Sequence, residues 1–240
     1  MNVVVTGASR GLGLEFVRQL AQRGDRVFAT VRNPQGADEL QSLAAKHTDN
    51  VRVIQFDVTD EKSIRAAVKQ VSAVTASLDV LINNAGVLLG MSALKDEGQA
   101  DRLGRLTMEH GVTVMQTNAI GPIIVTQEFL PLLRNGSHPK IASITSGYGS
   151  LAETSSGPPY HYKASKAALN MYMHGLALDV RTDGVISVVI NPGWVSTAMG
   201  GASASLTPQQ SVSGMIKVID KLTLQQTGRF FNWQGDEEPW

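Results

Sequence analysis

Tyr162 and Lys166 stand one helical turn apart in the run Tyr162-Lys163-Ala164-Ser165-Lys166. On a helix, that spacing sets a phenol and an ammonium side by side on one face. A free phenol titrates near about 10 and is a poor proton donor or acceptor at neutral pH. A neighbouring cation favours the phenolate. At about 4 to 5 Å and an effective dielectric of about 20, the attraction is worth roughly 3 to 4 kcal/mol, or about 2 to 3 pK units. The pair is thus expected to lower the tyrosine pKa towards the range of general acid–base catalysis. A lone Tyr-x-x-x-Lys is a weak motif, and its weight depends on the rest of the chain.

A second candidate lies near the start. The apolar run Val3-Val4-Val5 leads into Thr6-Gly7-Ala8-Ser9-Arg10-Gly11-Leu12-Gly13. Glycine permits positive φ and close backbone approach, and a helix N-terminus attracts phosphate. The spacing is Gly-x-x-x-Gly-x-Gly rather than the Gly-x-Gly-x-x-Gly of the standard dinucleotide fingerprint. Between a strand and a helix it reads as a phosphate cradle made by Gly7, Ser9, Arg10, Gly11, Leu12 and Gly13. The next strand ends Ala29-Thr30-Val31-Arg32. NAD enzymes usually carry an acid there, and an arginine suits the extra phosphate of NADP. Arg10 and Arg32 would supply two guanidinium groups for it. Two ordinary surface arginines would look the same in the sequence. NADP(H) is the expected cofactor, ahead of NAD(H).

These residues need a scaffold, and the chain alternates short β-branched runs with amphipathic stretches. Strands are expected at Val3–Thr6, Arg26–Val31, Val51–Phe56, Leu78–Asn83, Lys140–Thr145, Val185–Asn191 and Arg229–Phe231. Helices are expected over 12–23, 61–76, 104–134 (with room for a break), 160–182 and 208–222. Gly24 suits a helix C-cap, and Thr207-Pro208-Gln209-Gln210 has the form of a capping box with proline at the first helical position. The early strands are nearly all apolar, as in strands covered on both faces. This alternation predicts an α/β fold, a doubly wound parallel sheet of about seven strands with helices on both faces. Residues 1–240 are read as one dinucleotide-binding and catalytic domain. The stretches 87–103 and 193–206 lack periodicity and read as loops over a site. Asp236-Glu237-Glu238 reads as a solvated tail.

Composition excludes several function classes. The formal net charge is +0 and there is no basic block, so nucleic-acid binding has no electrostatic footprint. Without cysteine, neither disulfides nor thiolate metal sites can form. His47, His110, His138 and His174 lack ligand spacing, and no metal is assigned. No signal peptide or membrane span is read, and a cytoplasmic location is expected.

The glycine loop and Tyr162/Lys166 occur with Asp57-Val58, Asn83-Asn84-Ala85-Gly86 and Asn191-Pro192-Gly193, in that chain order. As a set these runs resemble the short-chain dehydrogenase/reductase family across essentially the whole chain. Thr117-Asn118-Ala119-Ile120-Gly121-Pro122 and the ending from Gly228-Arg229-Phe230-Phe231-Asn232-Trp233 to Trp240 look most like its C-factor and sniffer-type carbonyl reductase branch. The resemblance implies that Asp57 and Val58 meet the adenine, and that Asn84, Ala85 and Gly86 line the cofactor channel. It implies that Pro192, Gly193, Val195 and Thr197 flank the nicotinamide. It gives catalytic roles to Asn118 (a relay water), Ser146 (a bond to the substrate oxygen), Tyr162 (the proton donor) and Lys166 (tuning the phenol and holding the ribose). One departure concerns the serine. Ser146 lies about three residues farther from Tyr162 than is common in the family, and Ser150 is a rival. Ser146 is preferred because it ends a strand-like run.

The implied activity is hydride transfer between NADPH and a ketone or aldehyde, or the reverse from an alcohol, with a small-molecule substrate of little charge. The alternative is an NADP-binding signalling or sensing protein of the same fold. A nucleotide-sugar isomerase or dehydratase is disfavoured by the short stretch after Thr197. Family members commonly pair two long helices into dimers or tetramers, while the carbonyl reductase branch includes monomers, so the oligomeric state stays open. His161 is read as a rim or surface residue, Trp194, Tyr148 and Met199 as loop residues that either close on a substrate or pack in the core or on the surface, and Met171 and Met173 as contacts to a neighbouring subunit.

Overall fold

A computed structural model describes residues 1–89 and 101–240. Its centre is a seven-stranded, all-parallel sheet in the order β3-β2-β1-β4-β5-β6-β7. The strands are β1 (Asn2–Val5), β2 (Arg26–Val31), β3 (Val51–Gln55), β4 (Val80–Asn83), β5 (Lys140–Ile144), β6 (Ile186–Asn191) and β7 (Phe230–Asn232). The helices are α1 (Gly11–Gln22), α2 (Asp38–Lys46), α3 (Glu61–Ser72), α4 (Met108–Met115), α5 (Gly121–Arg134), α6 (Tyr160–Val180) and α7 (Pro208–Lys221).

The two-residue period of a strand divides the apolar side chains between two cores. Val3 and Val5 of β1, with Val80 and Ile82 of β4, face α1, α2 and α7. Val4 and Leu81 face the other way, onto α3, α5 and α6. Phe16 and Leu20 anchor α1 in the first core; Phe129 and Leu133 anchor α5 in the second. Both faces are dry, so the strands read as continuous hydrophobic runs rather than alternating ones. The edge strand β3 differs, with Arg52 and Gln55 exposed.

Several expectations need correction. Helix α2 was not foreseen; only Leu40 and Leu43 are buried on it and it has no side-chain cap, so its periodic signal is thin. The break allowed for in the 104–134 helix is present, and the helix begins later: α4 runs from Met108, a π-helical turn covers Gln116–Ile120, and α5 follows. Asp236–Glu238 is folded against the sheet. Phe231 and Glu237 form an antiparallel bridge, Glu237 pairs with Arg229 at 2.7 Å, and Glu238 bonds Asn191. Met173 is a core residue rather than an interface contact, whereas Met171 is exposed. Gly24 has φ of 89° just past α1, and the Thr207–Gln210 capping box is present. Of the stretch 87–103, residues 90–100 lie outside the described residues. No helix among the described residues is long and apolar enough to cross a membrane.

Candidate active site

The strand order turns between β1 and β4, and open α/β sheets take ligands beyond the C-terminal ends of such strands. The glycine loop leaves β1 there, Asn84–Gly86 leaves β4, Ser146 follows β5, and Pro192–Gly193 follows β6.

The cradle is shaped by missing side chains. Gly7 and Gly11 have φ of 67° and 57°, a region costly for residues with a Cβ. A Cβ on Gly13 would stand 2.2 Å from the Gly7 carbonyl oxygen and 2.5 Å from Asn84 Nδ2. A Cβ on Gly7 would stand 2.8 Å from Ala85 Cα. Among the described residues, only the Thr197 side chain, its methyl 3.6 Å away, comes near a Cβ built on Gly11. Asn84 Nδ2 donates to the carbonyls of Thr6 at 2.9 Å and Gly7 at 3.2 Å. The Thr6 hydroxyl accepts from the amides of Asn84 and Ala85, both at 3.0 Å. Thr6 escaped the sequence reading; its signal was a lone hydroxyl closing an apolar strand.

Helix α1 opens at Gly11 with Arg10 as N-cap, no side-chain cap and no acid in the first turn. By contrast α3, α4 and α7 are capped by the side chains of Asp60, Thr107 and Thr207. The first-turn amides of α1 therefore form a positive end beside Gly11, which fits a dinucleotide phosphate. Arg10 and Arg32 are exposed and enter no ion pair among the described residues. Asp57 commits Oδ1 to the amide and hydroxyl of Thr59, at 2.9 and 2.8 Å, while Val58 is buried at the start of α5.

The catalytic candidates converge from separate elements. Tyr162 and Lys166 share the buried face of α6. Lys166 Nζ lies 5.7 Å from the Tyr162 ring centroid and donates to the Ile144 carbonyl at 2.8 Å. The expected lowering of the Tyr162 pKa is not what the chain alone produces. Burial pushes the phenol up to about 12, against a smaller pull from a hydrogen bond with Ser146. Burial also pushes the Lys166 ammonium down to about 8. Desolvation outweighs the attraction that spacing alone suggests.

Ser146 is thus brought to Tyr162, and its hydroxyl also accepts from the Tyr148 amide at 3.2 Å. Ser150 is buried and accepts instead from the Glu153 amide at 3.2 Å. Asn118 is fully buried in the π-helical turn. Its side chain accepts from the Val87 amide at 2.7 Å and donates to the Val87 carbonyl at 2.8 Å and to Ser165 Oγ at 3.0 Å. A Cβ on Gly86 would stand 3.4 Å from Asn118 Oδ1 and 3.8 Å from Lys166 Nζ.

On the far side, Gly193 has φ of 76° and its amide donates to Asn191 Oδ1 at 3.0 Å. Asn191 Nδ2 in turn donates to both Glu238 oxygens, at 2.9 and 3.1 Å. The Pro192 carbonyl accepts from Ser211 at 2.7 Å, Val195 is buried and bridged to Leu206, and the Thr197 hydroxyl accepts from Gly200 at 3.1 Å. Tyr148, Trp194 and Met199 are exposed; the Tyr162 hydroxyl reaches Met199 Sδ at 4.0 Å. His161 is half-buried, as a rim position would be. It packs on Gly111 of α4, and its Nε2 is buried without a hydrogen-bond partner among the described residues.

Comparison with known proteins agrees with this arrangement. Residues 1–206 match the family model described as short chain dehydrogenase. The protein named C-signal of Myxococcus xanthus is 45% identical over 166 residues, 69% of this chain and 95% of that protein. Among solved structures, NADPH-bound carbonyl reductase from chicken fatty liver superposes with a TM-score of 0.91 at 36% identity, covering 100% of this chain and 98% of that one. The carbonyl reductase Sniffer of D. melanogaster gives a TM-score of 0.90 at 30% identity, covering 100% and 99%. With a seven-stranded parallel sheet, a glycine cradle at its switch point and a Tyr–Lys pair beside it, the chain belongs to the short-chain dehydrogenase/reductase family of oxidoreductases.

Proposed function

We propose that residues 1–240 form one NADPH-dependent carbonyl reductase domain, acting on an uncharged or weakly charged ketone or aldehyde, or on the corresponding alcohol in reverse. The convergence of Ser146, Tyr162 and Lys166 beside the glycine cradle carries this reading. Bound NADPH would supply the hydride. The first-turn amides of α1 would hold its phosphates, Arg10 and Arg32 its 2′-phosphate, and Asp57 its adenine. Its similarity to an NADPH-bound carbonyl reductase supports that choice.

Reduction of a carbonyl builds negative charge on its oxygen. Ser146 and Tyr162 hydroxyls are the two donors for that oxygen, fixed before the charge develops. Tyr162 delivers its proton to the oxygen. Its raised pKa keeps the proton in place until then, which suits a donor. Lys166 stays largely protonated at neutral pH and stabilises the phenolate left behind. Asn118 ties the Val87 backbone to α6 through Ser165 and keeps the strand end beside Lys166.

The test is fluorescence titration with NADPH and NADH, followed by a carbonyl panel run on the parent and on Tyr162→Phe. The expected result is tight NADPH binding in both proteins and turnover only in the parent. Turnover retained by Tyr162→Phe would refute the mechanism. A second reading, an NADP-binding signalling protein, is favoured by the similarity to the protein named C-signal. Tight NADPH binding without turnover of any carbonyl would select it.

A further inference from the structure

We propose that Asp101 is a positioning residue, which sets Tyr162 in place by capping α6 from 60 residues away in the chain. The proposal rests on the reading of Tyr162 as proton donor. Helix α6 begins after Pro159, which has no side-chain acceptor, so the amides of its first turn need partners from elsewhere. Asp101 supplies all three. Its carbonyl accepts from Tyr160 at 3.3 Å, Oδ1 from the His161 amide at 2.7 Å, and Oδ2 from the Tyr162 amide at 3.0 Å. The Asp101 side chain is buried, with the residue only 6% exposed.

One carboxylate spanning two consecutive amides fixes their relative orientation, and with it the rotation of the first turn about the helix axis. The other end of the same residue is also held. The Tyr162 carbonyl accepts from Ser165 Oγ at 2.7 Å, and Ser165 accepts from Asn118 at 3.0 Å. The Tyr162 backbone is thus clamped at its amide by Asp101 and at its carbonyl by the Ser165–Asn118 pair. The direction of the phenol follows from that clamp, because the Cα–Cβ bond is set by the backbone. A buried carboxylate is also favoured at the positive end of a long helix.

The experiment compares the parent with Asp101→Ala and Asp101→Asn. NADPH titration counts cofactor-competent sites, and kcat is expressed per site with a saturating carbonyl substrate. Asp101→Ala is expected to lower kcat per site about 10- to 100-fold, the cost of a small misplacement of a reacting group, with NADPH affinity unchanged. Asp101→Asn keeps one acceptor and is expected to fall between; it carries the test if the alanine variant does not fold. A deficit that vanishes when kcat is expressed per site would make Asp101 a plain structural cap and overturn the proposal. Amide hydrogen exchange gives a readout independent of turnover. In either variant, His161 and Tyr162 amides are expected to lose protection while the distal half of α6 keeps it; unchanged protection would overturn the clamp. If the parent reduces no carbonyl, the reading of function fails, and the exchange pattern alone decides whether Asp101 positions Tyr162.

Discussion

Helices α1 and α6 both begin at the crevice, and they begin in opposite ways. The first turn of α1 has no side-chain cap and no acid. The first three amides of α6 are all taken by Asp101. Unspent donors are kept where an anion is to be received, and spent donors are found where a side chain has to be aimed. The glycine loop reinforces the first choice by removing the side chains that would cover the α1 terminus. Burial reinforces the second by making an unpartnered amide costly.

The contrast can be broken at several points. The largest effect is expected at the α6 end. Tyr162→Phe should lower kcat on the order of 10³-fold while leaving NADPH affinity in place, because it removes the general acid and little else; steady-state kinetics beside a binding titration measures both. Next is the α1 end. Gly13→Ala drives a methyl into the Gly7 carbonyl, and overpacking of this kind costs about 1 to 3 kcal/mol. It should weaken NADPH binding and lower the melting temperature together, the reverse of the Tyr162→Phe pattern.

Lys166→Met sharpens the comparison through pH. Burial lowers the folded-state Lys166 pKa to about 8, against about 10.4 unfolded. Below pH 8 the ammonium is charged in both states and the cost of burying it is fully present, roughly 3 kcal/mol. That cost is relieved as pH rises from 8 towards 10.4. The cofactor-free Lys166→Met protein should therefore be more stable than the parent at pH 7, by an amount that shrinks towards pH 10, and should be inactive at both. Denaturant unfolding at the two pH values checks it; a variant less stable at pH 7 would contradict the assignment. The smallest effect is expected at the exposed rim. Arg32→Ala should cut the preference for NADPH over NADH about tenfold, the size of one charge-assisted bond, read from paired titrations.

What could be read from the chain divides along the same line. The cradle was legible because its causes are local: a strand, three glycines and a helix in consecutive residues. Ser146 stood out because it follows an apolar strand-like run, and it lies just past the end of β5 beside Tyr162 despite the unusual spacing between them. Asp101 was not, since a lone carboxylate that caps a helix across 60 residues leaves no pattern. The direction of the Tyr162 pKa was misread because residue spacing reports the distance between two groups and says nothing of how much water reaches them. Helix α2 was missed for want of apolar anchors beyond Leu40 and Leu43, and the folded tail because charge in Asp236–Glu238 resembles a solvated end.

That tail has a consequence for handling the protein. Glu238 grips Asn191, whose carboxamide oxygen receives the Gly193 amide, and the Trp240 main-chain oxygen receives the Ala152 amide at 3.0 Å. The Trp240 ring rests 5.3 Å from His174 on α6 and 5.6 Å from Phe230 on β7. A proteolytic nick at the surface turn after Asn232 would therefore be felt at the two loops that carry Ala152 and Gly193. Residues 236–240 work as a latch, and affinity handles or fusion partners belong where they leave it shut.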